Sequence, residues 1–186
     1  LPPTDPDKRT VDLMFAGNVG AAQSLETVLQ AAELLRGETA LRWHIVGDGS
    51  ELAHLKALAA EKQLDSVIFH GRKPPEEMPA LYAMADAMLV TLTPDPFISL
   101  TLPGKVQTYM AAGKPVLAAA RGEIPQVIAA AECGWCAEAG DAKGLADIAL
   151  KFMHSSEKKQ LGENARRYYE QHFTRERFMA TLEAEL

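Results

Sequence analysis

Leu102-Pro103-Gly104-Lys105-Val106-Gln107-Thr108-Tyr109-Met110-Ala111-Ala112-Gly113-Lys114-Pro115-Val116 reads as a short helix that stops at Gly-Lys-Pro and hands the chain to a buried strand. Pro103 suits a helix start, because its missing N–H has no intrahelical partner there. Gly113 suits the C-terminal cap, and Pro115 cannot continue the helix. Lys105 falls in the first turn, where the helix dipole disfavours a cation, so a bound anion would explain it. A solvated lysine is the alternative. The preceding loop, Thr93-Pro94-Asp95-Pro96-Phe97-Ile98-Ser99, is too irregular for a simple connector and points to a ligand-facing edge.

Outward from this unit, apolar runs alternate with helical spacing. Strands are expected over Val11 to Ala16, Leu41 to Val46, Ser66 to Phe69, Ala87 to Thr91, Val116 to Ala119 and, shorter, Gly134 to Ala137. Helices are expected over Ala21 to Leu35, from a Ser50 cap to Gln63, over Glu76 to Ala85 and over Ile124 to Ala131. From Asp141 to Leu186 the pattern is almost entirely helical. Continuously apolar strands between helices imply an α/β fold, a Rossmann-like parallel sheet of about six strands covered on both faces. Ligands of such sheets bind beyond the strand C-termini, near the switch in strand order. The turns expected there are Gly17-Asn18, Gly47-Asp48-Gly49, His70-Gly71-Arg72-Lys73, Asp95 to Ser99 and Arg121-Gly122-Glu123.

Composition bounds the function. The 186 residues, 47% hydrophobic and 24% charged, suit one domain with its own core. A net charge of −6 argues against a general nucleic-acid surface. Leu1 in place of methionine suggests a piece of a longer protein, with residues 1–10 as a Pro-rich interdomain linker and residues 11–186 as the domain. No run approaches the roughly 20 apolar residues of a membrane span, because Asp86 breaks Ala83 to Val90. The mixed charges from Glu157 to Arg177 read as a solvated helix face with local ion pairs; a membrane-facing role is the alternative. Cys133-Gly134-Trp135-Cys136 has the spacing of a redox motif but lacks the strand-to-helix setting, which leaves two small core residues.

Lys105 is the leading candidate for chemistry. Arg72 and Lys73 are adjacent cations that face either an anion or solvent. His70 follows an apolar strand and suits a structural role as well as a ligand. Gly47-Asp48-Gly49 lacks the third glycine of a dinucleotide fingerprint, and Asp48 serves the turn or a ligand equally well. No clustered carboxylates suggest a metal, and no resident cofactor is implied.

The ordered set Phe15-Ala16-Gly17-Asn18, Ile45-Val46-Gly47-Asp48-Gly49, Val67-Ile68-Phe69-His70-Gly71, Leu81 to Ala87, Tyr109 to Val116 and Ala139-Gly140-Asp141 resembles the C-terminal half of family 4 (group 1) retaining glycosyltransferases of GT-B fold. The resemblance runs from about Val11 to Phe178. It implies a domain that binds a nucleotide diphosphate sugar as substrate. A separate N-terminal domain would hold the glycan or lipid-linked acceptor. The base would lie near His70, Gly71, Arg72 and Lys73. The diphosphate would lie near the first turn, Gly17, Asn18 and Gln23, and the helix start at Pro103, Gly104 and Lys105, with the donor sugar close to the loop before that helix; Gly47, Asp48, Leu102, Thr108 and Tyr109 would also belong to the donor site. The family's usual arginine and lysine after the first strand are replaced by Asn18 and Gln23. Its acidic pair falls on Thr108 and near Leu100, so both carboxylates are lost. The pattern is similar instead to the N-acetyl-fucosamine transferases of surface-polysaccharide assembly. In that reading Lys105 replaces the missing cations, and Glu123 or Asp95 stands in for a carboxylate. The resemblance implies a bacterial, cytoplasmic enzyme, at the inner face of the membrane if it makes peripheral contact. An epimerase-like GT-B relative and a non-catalytic nucleotide-binding module are the rival readings.

Overall fold

The computed structural model describes residues 8–94 and 104–173. Six strands form one wholly parallel sheet: β1 Val11–Ala16, β2 Leu41–Val46, β3 Val67–Gly71, β4 Ala87–Thr91, β5 Val116–Ala119 and β6 Gly134–Ala137. Their order is β3-β2-β1-β4-β5-β6. The chain therefore builds outward from β1 on one side, then returns to build outward from β4 on the other. The switch in strand order lies between β1 and β4.

Both faces are buried, which is why the strands read as apolar runs rather than alternating ones. Leu13, Phe15, Trp43, Ile45, Leu89 and Leu117 face one core. There they meet α1 (Glu26–Leu34), α2 (Leu52–Glu61) and α6 (Ala142–Met153). Met14, Ala16, Val46, Met88, Val90 and Ala118 face the other. That core is closed by α3 (Met78–Met84), α4 (Gly104–Ala111), α5 (Glu123–Ala131) and α7 (Lys158–His172).

Local chemistry sets most boundaries. Gly113 ends α4 at φ +72°. Gly113 N–H donates to the Met110 carbonyl and Lys114 N–H to that of Tyr109, the paired bonds of a Schellman stop. Asp141 caps α6 by accepting from Gly144 N–H at 2.9 Å. Three helix expectations shift. The one expected over Glu76 to Ala85 opens as a 3-10 turn, Pro75–Glu77, before α3. The helix expected from Ala21 is split into a 3-10 turn, Ala21–Gln23, and α1, because Ser24 takes a left-handed conformation. Ser50 caps nothing; Glu51 precedes α2 without a side-chain cap. Arg166 and Glu170 pair at 2.9 Å along the exposed face of α7. Lys8, at the end of the expected linker, bonds to the Met84 carbonyl and to Asp86 and Asp12.

Cys133, just before β6, is buried, and Cys136, within it, is half-buried. Burial pushes their thiols up to about 12 and about 11. Redox thiols shift the opposite way, so both behave as small core residues.

Tyr109 is fully buried and ties α4 to the carboxyl end of β1. Its hydroxyl donates to the Ala16 carbonyl at 2.8 Å and accepts from Ala16 N–H at 3.1 Å. The sequence reading set Tyr109 beside the donor; it does not face the cleft, because its one polar atom is spent on β1. Tyr109→Phe leaves both Ala16 groups without this partner and is expected to cost about 1–3 kcal/mol. Chemical denaturation checks this as a lowered midpoint at unchanged slope.

Candidate functional site

The turns after β1, β2 and β3 meet at the carboxyl edge of the sheet. They are bonded to one another in series: Gly17 N–H to the Val46 carbonyl, Val19 N–H to that of Asp48, and Gly47 N–H to that of Gly71. The approach is so close that a Cβ on Gly47 would lie 1.8 Å from the Gly17 carbonyl oxygen, and one on Gly49 2.3 Å from that of Val19. The glycines of Gly47-Asp48-Gly49 thus serve loop-to-loop contact. Asp48 Oδ1 accepts from Gly49 N–H at 2.7 Å, so the carboxylate stabilises its own turn.

A cleft of about 480 Å³ opens above these turns. Gly17, Asn18, Gly47, Asp48, Arg72 and Lys73 line it, with Met78 and Tyr82 of α3 as its apolar wall. The sequence-predicted residues of three separate turns are therefore brought together.

Lys105 stands beside this group. Its Nζ lies 4.2 Å from the Phe15 ring centroid, a cation–π contact, and 2.7 Å from where a Cβ on Gly17 would sit. It makes no ion pair or hydrogen bond with any described residue. Burial pushes its ammonium down to about 8. A half-buried cation thus faces the end of β1 with no anionic partner among the described residues. Arg72 is exposed and Lys73 half-exposed.

Other predicted residues take different places. Gln23 Oε1 accepts from Gly20 N–H at 3.1 Å, and its carbonyl accepts from the Thr91 hydroxyl. Both polar groups hold the turn after β1. Thr108 is exposed and bonds back to the Gly104 carbonyl at 3.2 Å. Glu123 is exposed in the first turn of α5 and is not among the residues lining the cleft. His70 and Gly71 close β3, half-buried, and are not among the residues lining the cleft. Leu102, Pro103 and Asp95 lie outside the described residues, as does Leu100.

Sequence reasoning missed Tyr82 and the buried pair Asp12 and His44, joined at 2.7 Å. The available signal was a polar residue inside each of two buried strands. Among the described residues, no three His, Cys, Asp or Glu side chains are grouped to hold a metal ion.

Comparison with known proteins places this geometry. The family model described as "Glycosyl transferases group 1" matches residues 3–168. A probable glycosyltransferase, WbjE of Pseudomonas aeruginosa, is 35% identical over 72% of this chain and 34% of its own length. N-acetyl-alpha-D-glucosaminyl L-malate synthase of Bacillus anthracis is 28% identical over 92% of this chain and 44% of its own. The chain thus spans less than half the length of these relatives. Among solved structures, sucrose-phosphate synthase of Thermosynechococcus elongatus superposes with a TM-score of 0.80 at 21% identity, over 95% of this chain and 45% of that one. Anabaena HepE, solved with UDP and glucose, gives 0.77 at 20% identity, over 94% and 48%. These likenesses carry the fold, a Rossmann-like domain matching those of GT-B glycosyltransferases. With the family model covering nearly its whole length, this chain belongs to the group 1 glycosyl transferases.

Proposed function

We propose that the chain is the donor-binding half of a retaining glycosyltransferase. It would move a sugar from a uridine diphosphate sugar to a glycan or lipid-linked acceptor in surface-polysaccharide synthesis. The observation that carries this reading is the half-buried Lys105 beside Gly17, in the first turn of α4, which pairs with no anion among the described residues. As the bond from the anomeric carbon to the β-phosphate oxygen breaks, negative charge grows on the departing diphosphate. Lys105 Nζ and the free N–H groups of α4 are suited to stabilise it. Arg72 and Lys73 add positive charge at the other side of the cleft, where the nucleoside would lie. Glu123 or Asp95 would stand in for the family's missing carboxylate. HepE and pneumococcal GtfA were both solved with UDP and a sugar, which supports a uridine nucleotide here. WcaI of Escherichia coli, a putative colanic acid biosynthesis transferase 33% identical over 58% of this chain, supports the polysaccharide setting. Asn18, Gln23, Leu102-Pro103-Gly104-Lys105 and Gly122-Glu123 favour the N-acetyl-fucosamine transferase-like subgroup and an N-acetylated sugar. A cleft with one wall cannot orient two reactants, so this half alone is expected to be inactive.

Calorimetric titration with UDP tests the assignment. Lys105→Ala is expected to weaken binding about tenfold or more, the scale of one charge-assisted bond. Lys159→Ala, on the exposed face of α7, should change it by less than about twofold. Equal, small effects would sink the assignment. Wild-type affinity should also fall as pH rises through about 8, where the ammonium is lost.

The same burial has a stability consequence of opposite sign. Below about pH 8 the folded protein carries a charge that burial disfavours, a cost relieved as pH rises towards the ordinary lysine value. Lys105→Met should therefore raise the ligand-free Tm at neutral pH and shrink the further rise on adding UDP. Thermal melts with and without UDP read both effects.

A further inference from the structure

On the sheet face covered by α3, α4, α5 and α7, three side chains form a hydrogen-bonded row across β1, β2 and β3. Asp12 Oδ1 lies 2.7 Å from His44 Nε2, and His44 Nδ1 lies 2.8 Å from His70 Nε2. Asp12 and His44 are each 3% exposed. The imidazole planes are 24° apart with centroids at 5.1 Å, the separation of rings that meet edge to edge through one N–H···N bond. His70 owes its place to a bulge. Ile45 pairs with Phe69 and Val46 with Gly71, so His70 is the extra residue of β3. Arg72 and Lys73, which line the cleft, follow directly.

The order of protons along the row follows from its first member. Burial opposes ionisation of Asp12, but hydrogen bonds from His44 and Lys8 outweigh it and hold the carboxyl well below its usual range. A carboxylate only accepts, so His44 Nε2 donates. On a His44 ring that carries one proton, Nδ1 then offers a lone pair, which His70 Nε2–H satisfies. Burial and the nearby Lys73 ammonium favour neutral His70. Its Nδ1 is left with a lone pair and no partner among the described residues.

We propose that Asp12 and His44 are positioning residues that lock His70 as its Nε2–H tautomer, so that His70 Nδ1 presents an acceptor to an N–H or O–H group of the nucleoside in the cleft. The nucleoside half rests on the donor-site reading above; the tautomer lock does not. Asp12 also supplies a way to reverse the row. Its Oδ2 accepts from Thr10 Oγ1 at 3.1 Å and from Lys8 Nζ at 2.9 Å. In Asp12→Asn those donors retain the amide oxygen, which turns Nδ2–H towards His44 Nε2. His44 must then donate from Nδ1, and His70 becomes the Nδ1–H tautomer.

Nitrogen-15 side-chain correlation spectra of histidine-labelled protein, assigned with His70→Gln, read the tautomer directly. In the wild type, His70 is expected to show a protonated Nε2 and an unprotonated Nδ1. Asp12→Asn should exchange the two signatures and weaken UDP binding by about tenfold, the scale of one lost hydrogen bond with its partner left unpaired. A purely structural role for Asp12 predicts no exchange. A wild-type His70 protonated at Nδ1, or averaging between tautomers, overturns the lock whether or not the variant folds. Exchange without loss of UDP affinity overturns the nucleoside contact. Failure of the wild type to bind UDP overturns the donor-site reading and the contact with it, while the spectra still decide the lock.

Discussion

One buried hydroxyl organises the carboxyl edge of this protein. Tyr109 reaches from α4 to the last residue of β1 and satisfies both the N–H and the carbonyl of Ala16. Unpaired backbone groups at that depth would be costly, so the bond fixes how α4 approaches the sheet at the switch between β1 and β4. Lys105 lies four residues earlier and shares that helix face with Tyr109. Once Tyr109 is bound to Ala16, Lys105 has little choice but to extend along Phe15 towards Gly17. A structural tyrosine thus aims a neighbouring lysine, and the cation is held where burial works against its charge.

The sheet was legible because every strand but one carries a plain signal. Leu41 to Val46, Ala87 to Thr91, Val116 to Ala119 and Gly134 to Ala137 are bounded as expected. Buried parallel strands are apolar on both faces, and Gly or Pro punctuates most of their ends. The strand extended to Gly71 ran past its expected end because its bulge breaks the apolar pattern at His70. The break after Gln23 escaped notice because apolar spacing continues across it, while a left-handed Ser24 interrupts the helix.

The candidate site was legible in part. Glycine turns and cations after strands are visible in one dimension, and the fold gathers Gly17, Asn18, Gly47, Asp48, Arg72 and Lys73 around one cleft. What a side chain is already bonded to is not visible. Gln23, Tyr109 and Thr108 match ligand-contacting positions by resemblance, yet each is engaged with backbone groups close at hand. Asp12 and His44 carry the reverse lesson. They look like faults in apolar strands, and only the fold, which sets them diagonally across β1 and β2 on one face of the sheet, shows them to be partners.

The serial bonds between the turns after β1, β2 and β3 continue the sheet's hydrogen bonding beyond its strands. Gly17, Gly47 and Gly49 allow these turns to lie backbone against backbone, with no room for side-chain rearrangement between them. The floor of the cleft is therefore ordered before anything enters it. A ligand settling there gives up its own freedom but does not have to take freedom from the protein beneath it, so affinity is gained by preformed fit rather than by folding the site around the guest.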